Sequence, residues 1–141
     1  MKSFNQFLTE EVKRVRVKLY HGVKGGPAVA QEIIKNGFDI NRIKAQWCND
    51  LAISTLARAK DVQNYFGKEV PILEIVFDGM MGSIWDGPQH TSSARDHRRA
   101  TLEKGIDALR LDSDSETFYQ VFIYNLSAIK SISLWQPKGR R

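Results

Sequence analysis

One cysteine, four prolines and three histidines occur in the 141 residues, and each scarcity excludes a class of protein. Cys48 has no intrachain partner, so no disulfide framework staples the chain, and no Cys/His grouping has zinc-ligand spacing. A reducing compartment is expected, with Cys48 beside Trp47 acting as a small packed hydrophobe. Apolar runs such as Val70 to Phe77 fall far short of the roughly 20 residues a bilayer-crossing helix needs, so no membrane association is expected. The glycines of GVKGGP lack P-loop spacing, and no Ser/His/Asp order points to a hydrolase. Asp112, Asp114 and Glu116 read as a solvated turn more than a metal loop. Internal repeats and low-complexity tracts are also missing. What is present is ordinary for a compact domain: 42% hydrophobic and 26% charged residues, on a chain long enough to bury a core unaided.

The 21 Lys+Arg exceed the 16 Asp+Glu by enough for a net charge of +5, which permits nucleic acid or a nucleotide phosphate as partner. The excess is uneven. Lys13, Arg14, Arg16 and Lys18 crowd one segment, and Arg95, His97, Arg98 and Arg99 crowd another. Lys138, Arg140 and Arg141 end a short basic tail over 137–141. The Arg95–Arg99 group suits a pyrophosphate, a nucleic acid or an acidic protein. No aromatic residue is interleaved there to stack bases, so a solvated helix face is the expectation.

Hydrophobic periodicity organises the remainder. From Val15 to His21 the pattern alternates strictly, which predicts a half-buried strand with His21 in phase with its apolar side. A helix carrying Val29, Ile33 and Ile34 follows and stops at Asn36 and Gly37. Leu51 to Ser54 predicts a short strand, and Thr55 a cap for a helix through Phe66. Val70 to Phe77 predicts a buried strand, and the glycines and prolines from Asp78 to His90 a long loop. Ser93 with Asp96 opens a polar helix to Lys104. Strands at Ile106–Leu111, Thr117–Asn125 and Lys130–Trp135 complete the chain. Strands parted by two or three helices, then strands joined by short turns, predict an α+β fold with antiparallel sheets.

The first ten residues read differently. Phe4, Phe7 and Leu8 form a one-turn apolar stripe, in keeping with a terminal amphipathic helix. The segment MKSFNQFLTE also resembles the capsid-targeting leader of internal proteins of contractile-tailed bacteriophages, which the phage protease cuts after a Glu preceded two positions earlier by Leu or Ile. Leu8, Thr9 and Glu10 match that pattern. The resemblance implies cleavage after Glu10, the prohead and its protease as partners, and a path from the virion interior to the host cytoplasm.

Four further pieces come in a fixed order: LYHG, LAISTLARAKDVQNYFG, PILEIVFDG and YQVFIYNLSAIKSI. Singly, His21, Tyr65 and Gln120 each read as an ordinary structural residue. Together they resemble the ADP-ribosyltransferase superfamily, in particular its His-Tyr-Glu branch. His21 and Gly22 match that family's His-Gly pair. Tyr65 matches the second of two tyrosines that sandwich the nicotinamide ring, with Ser54 where the first would stand. The Ser54-Thr55 pair is similar to the Arg-Ser-Glu branch. Gln120, Val121, Phe122, Ile123, Tyr124 and Asn125 fit the frame of the catalytic strand, with Gln in place of Glu. Glu116 lies four residues upstream in the same strand phase.

The resemblance implies two packed antiparallel sheets with two or three flanking helices over residues 11–136. It implies NAD as substrate, bound by His21, Gly22, Ser54, Thr55 and Tyr65, with Gln120 in the catalytic position. Strand phase places His21 and Gln120 on one cleft. The implied activity is mono-ADP-ribosyl transfer to a host protein or nucleic acid. The alternatives are an inactive fold that binds nucleic acid or a host protein, and a structural internal capsid protein.

Overall fold

The computed structural model describes residues 12–39, 52–88, 93–112 and 119–137. The leader, Trp47, Cys48, Glu116 and residues 138–141 of the basic tail lie outside the described residues. In chain order the elements are β1 (Lys13–Gly22), α1 (Pro27–Asn36), β2 (Ile53–Leu56), α2 (Ala59–Phe66), β3 (Ile72–Ser83), a 3-10 turn (Ile84–Asp86), α3 (Ala94–Glu103), β4 (Ala108–Asp112), β5 (Tyr119–Ile123), a second 3-10 turn (Leu126–Ala128) and β6 (Ile129–Leu134). The α+β class holds. The expected pair of antiparallel sheets does not: the strands form one mixed sheet in the order β1-β2-β5-β4-β3-β6, and an additional β1–β3 pairing closes five of them into a barrel.

Closure comes from the length of β3. Its first edge pairs with β1 from Ile72 to Met81. Its second edge is shared, with β6 along Leu73–Phe77 and β4 along Met81–Ser83, the latter in parallel. The hydrogen-bonded row from Ser83 passes through Arg110, Val121 and Thr55. One step beyond the Tyr20–Leu56 pair, it reaches His21 and returns to β3 at Leu73, ten residues from where it left. A five-stranded barrel with that stagger is narrow and strongly tilted, and side chains fill its interior. Leu19, Ile53, Ile75, Phe77, Ala108, Val121 and Ile123 do so and are fully buried.

Three α-helices among the described residues cover the barrel. Pro27 opens α1, where its missing N–H costs nothing, and Gly37 at φ 81° closes it with an N–H donated to Ile33. This helix packs Ala30, Ile33 and Ile34 on Val23, Leu73 and Ile132. Helix α2 packs Ala59, Val62 and Phe66 on Leu56, Ile72, Tyr20 and Trp135. Helix α3 opens as expected, with the Ser93 hydroxyl accepting from the Asp96 N–H at 3.1 Å.

Two local expectations fail for identifiable reasons. Thr55 caps no helix: it lies in β2, 1% exposed, and its hydroxyl donates to the Val121 carbonyl at 2.9 Å. A Thr in a narrow barrel satisfies its hydroxyl across the ladder as readily as at a helix end. The loop predicted from Asp78 is strand as far as Ser83. Its glycines mark close approach and not a turn. A Cβ on Gly79 would lie 2.6 Å from Asp107 Oδ2 and 3.0 Å from Ala128 Cβ, and one on Gly82 would press on Asp86 and Val12 at 3.1 Å.

Asp107 is the knot of this region. Its carboxylate accepts from the Met80 N–H at 2.7 Å and from Asn125 Nδ2 at 2.8 Å. Its own N–H donates to the Met80 carbonyl, and its carbonyl accepts from the N–H groups of Tyr124 and Asn125. Charge-assisted bonds at a part-buried carboxylate are strong, and removing the acceptor strands their donors. Asp107→Ala is expected to destabilise the fold by about 3 kcal/mol, lowering the melting temperature by roughly 10 °C. Calorimetry measures it, and a shift within experimental error would remove Asp107 from this role.

Candidate functional site

The strands that carry the motif residues, β1, β2 and β5, are hydrogen-bonded neighbours despite their separation in the chain. His21 is the next-to-last residue of β1, Ser54 lies in β2 and Gln120 is the second residue of β5, so three distant segments meet. His21 Nδ1 donates to the Ser54 carbonyl at 2.7 Å, and Gln120 Nε2 donates to the Ser54 hydroxyl at 2.9 Å. Ser54 thus links the other two, its backbone to one and its side chain to the other. A carbonyl only accepts, so Nδ1 carries the proton and Nε2 of the neutral ring is an acceptor.

The expected common cleft is corrected by the register. Tyr20, Leu56 and Gln120 are successive cross-strand partners and share the outer face of the barrel. His21 alternates with Tyr20 and therefore leaves the inner face, in phase with Leu19, and its ring meets the Phe38 ring edge-on at 5.3 Å. Phase misled on β5, where both faces are apolar: the barrel interior takes Val121 and Ile123, and Phe122 packs on the other side with Leu102 of α3; β1 has a polar outer face, and there the inward phase of His21 holds. His21 and Gln120 are neighbours at the rim of the barrel, on opposite sides of β2.

Gly22 faces outward beneath α2. A Cβ there would lie 2.9 Å from Phe66 Cδ2 and 3.0 Å from Val62 Cγ1, so helix packing alone requires glycine. Tyr65 is 60% exposed on α2, its ring edge-on to Phe66 at 4.9 Å, while Lys24 Nζ lies 5.1 Å from the Phe66 ring centre. Thr55 is committed to the barrel through its bond to Val121. Phe38, which meets the His21 ring, escaped sequence reasoning, whereas Phe66 was legible as the last apolar residue of its helix but not as the neighbour of Gly22.

Elsewhere, the three arginines expected as one basic face are divided. Arg98 turns Nη2 to the Tyr124 carbonyl at 3.1 Å, Arg99 pairs with Asp96 at 2.9 Å, and Arg95 is exposed. On β1, Arg14 and Arg16 both reach Asp78 at 3.0 Å, and together they hold its carboxyl below the usual range. A surface cavity of about 260 Å³ lies between α1, the end of α2 and the end of β6, lined by Gln31, Gln63, Lys68 and Trp135 but by none of His21, Ser54 and Gln120. Among the described residues no group of three His, Cys, Asp or Glu side chains is placed to hold a metal ion, and no helix is long and apolar enough to cross a membrane.

Burial holds the His21 imidazole below its ordinary value near 6.5, and the bond to the Ser54 carbonyl opposes this in part. The unfolded chain then binds the proton at higher pH than the folded one. The stability contributed by neutral His21 is complete above about pH 6.5 and is lost as pH falls through the folded pKa. The urea midpoint is expected to drop from pH 7 to pH 5, and to drop less in His21→Asn, which keeps a donor but does not titrate. Equal slopes would show that His21 is not responsible. For Gly22→Ala, overpacking against Phe66 and Val62 is expected to cost about 1–3 kcal/mol in chemical denaturation; a neutral effect would free Gly22 from the packing role.

No family model, curated protein or solved structure matches the chain.

Proposed function

We propose that the chain is an ADP-ribosyltransferase-like protein of a phage interior that binds NAD and transfers mono-ADP-ribose to a host protein or nucleic acid. On this reading residues 1–10 direct it into the prohead, the prohead protease trims it after Glu10, and it passes from the virion into the host cytoplasm. One observation carries the enzymatic part: the hydrogen-bonded connection of His21, Ser54 and Gln120 across three neighbouring strands. Residues more than 30 apart in the chain converge there in the order the resemblance requires.

The chemistry follows from the bond to be cleaved. Breaking the glycosidic link between nicotinamide and ribose develops positive charge on the sugar, so the site must anchor the ribose and expel a neutral ring. His21 Nε2, an acceptor in the tautomer set by Ser54, suits a ribose hydroxyl. Tyr65 offers an exposed aromatic face to the cationic ring. Gln120 can orient the sugar by hydrogen bonds, but a neutral amide cannot offset the developing charge. Slow mono-transfer is therefore expected, without polymer formation. With residues 11–141, radiolabelled NAD and host lysate, label transfer or nicotinamide release is expected. His21→Ala should lower the rate at least tenfold, and Gln120→Glu should raise it by roughly tenfold or more. No turnover by either the wild type or Gln120→Glu would sink the enzymatic reading.

A second reading is an inactive fold that acts as a binding module, or a structural internal capsid protein. The amide of Gln120, neutral and already bonded to Ser54, favours it. It expects a thermal shift with NAD or with a macromolecular partner and no nicotinamide release.

A further inference from the structure

We propose that the open edge of β6 is a self-association surface, to which a second copy of this chain adds its own β6 antiparallel across a two-fold axis at Ser133. Among the described strands β6 ends the sheet and pairs only with β3. The Trp135 N–H donates to the Ile72 carbonyl at 2.8 Å, which fixes the phase of that ladder. Bonded and non-bonded pairs alternate between antiparallel strands, so Ser133 with Glu74 and Ser131 with Val76 exchange the bonds to β3. The N–H and carbonyl of Ile132 and of Leu134 therefore point away from β3, to the open edge. Unpaired backbone of this kind is a template for another strand. Strand β6 has little to deter one. Its one charged residue, Lys130, is the extra residue where the register shifts between Val76 and Phe77, and Pro137 lies past its end. The stretch from Ser131 to Leu134 is left regular and uncharged.

That stretch is complementary to itself. With Ser133 opposite Ser133 on the axis, Ile132 of each copy faces Leu134 of the other, and the outward N–H groups meet the outward carbonyls. An isologous contact needs this reciprocity. Moving the axis to Ile132 would set Leu134 against Lys130 at the register shift and lose the regular pairing. The side chains agree with the Ser133 axis. Ile132 packs with Ile33, Ile34 and Leu73, so Ile132 and Leu134 share the face that α1 covers. Leu134 is 37% exposed there, and the partner's Ile132 would cover it. On the other face Ser131 and Ser133 are exposed, and Lys130 falls opposite Gln136, so no like charges oppose across the pairing. The axis stands perpendicular to the sheet, which leaves the two copies of α1 side by side on one face. A foreign peptide needs pockets for its alternate side chains, and on the outer face Ser131 and Ser133 form none.

The edge lies across β3 from β1, so the contact is separate from the rim where His21, Ser54 and Gln120 meet and does not rest on the NAD reading. A contact this short gives weak, concentration-dependent association. Sedimentation equilibrium of the full chain from about 1 to about 500 µM should show the mean mass rising from monomer toward dimer. Leu134→Pro removes half of the inter-chain bonds and none of those to β3, and should weaken association about tenfold or more. Ser133→Lys sets two ammonium groups against each other at an exposed position and should weaken it about fivefold; it decides the matter should proline unsettle the strand. The Ile132 and Leu134 amides should exchange fast in dilute protein and slowly at high concentration. In a Cys48→Ser background, Ser133→Cys should oxidise to a linked dimer, because a non-bonded antiparallel pair holds its Cα atoms about 4.5 Å apart. Ser131→Cys should not, since its counterpart lies about 13 Å away along the strand. Four results would overturn the proposal: a monomer throughout, a dimer untouched by Ser133→Lys, equal cross-linking by the two cysteines, or Ile132 and Leu134 amides already protected in the dilute monomer, which would show that the chain's own segment covers the edge.

Discussion

Closure of the barrel depends on the carboxylate of Asp107. The parallel contact between β3 and β4 is only three residue pairs long, Met81–Ala108 to Ser83–Arg110, too short to hold by ladder bonds alone. Asp107 stands at its entrance. Through side chain and backbone it binds Met80 on β3 and the segment just after β5, and Gly79 is glycine because the carboxylate occupies the space its Cβ would need. Asn125, bonded to Asp107 by Nδ2, accepts the Ser127 N–H with its other side-chain atom and so starts the turn into β6. One part-buried acceptor therefore joins β3, β4, β5 and β6. The site inherits that order, because β5 is held between β4 and β2 and this brings Gln120 to Ser54.

Asn125 then has a physical explanation. In the sequence it is the last position of the frame that begins at Gln120, and its identity there looks like a family signature. In the structure it secures the end of β5 to Asp107. The Asp of the segment KGIDALRL is the partner that makes an amide useful at position 125, and nothing in either local pattern announces the pairing.

Much of the fold was legible. Strict alternation announced β1, and Gly37 and Gly67 marked the helix ends because a left-handed backbone there favours glycine. Ser93 announced α3 for the same kind of local reason. The misreadings at Thr55 and Asp78–Ser83 share one cause: threonine and glycine have two uses each, and the choice between them is made by neighbours from distant segments. Thr55 found a carbonyl across the ladder, and Gly79 found a carboxylate. The candidate site was legible as residue types in order, His21, Ser54 and Gln120, but not as geometry. Strand phase reports which residues share a face only when one face is polar, and on β5 both are covered.

The sequence by itself determined the elements, their approximate limits, the α+β class and the residues that carry the resemblance, because these depend on side-chain periodicity and on backbone preferences within a few positions. The tertiary structure alone decided two things: that the strands close into one barrel, and that His21 and Gln120 leave opposite faces and meet through Ser54. Each depends on register between strands or on contact between segments far apart in the chain. Register is set by the summed packing of whole faces and by a few cross-strand bonds, of which Asp107 supplies the most, and no local pattern encodes that sum.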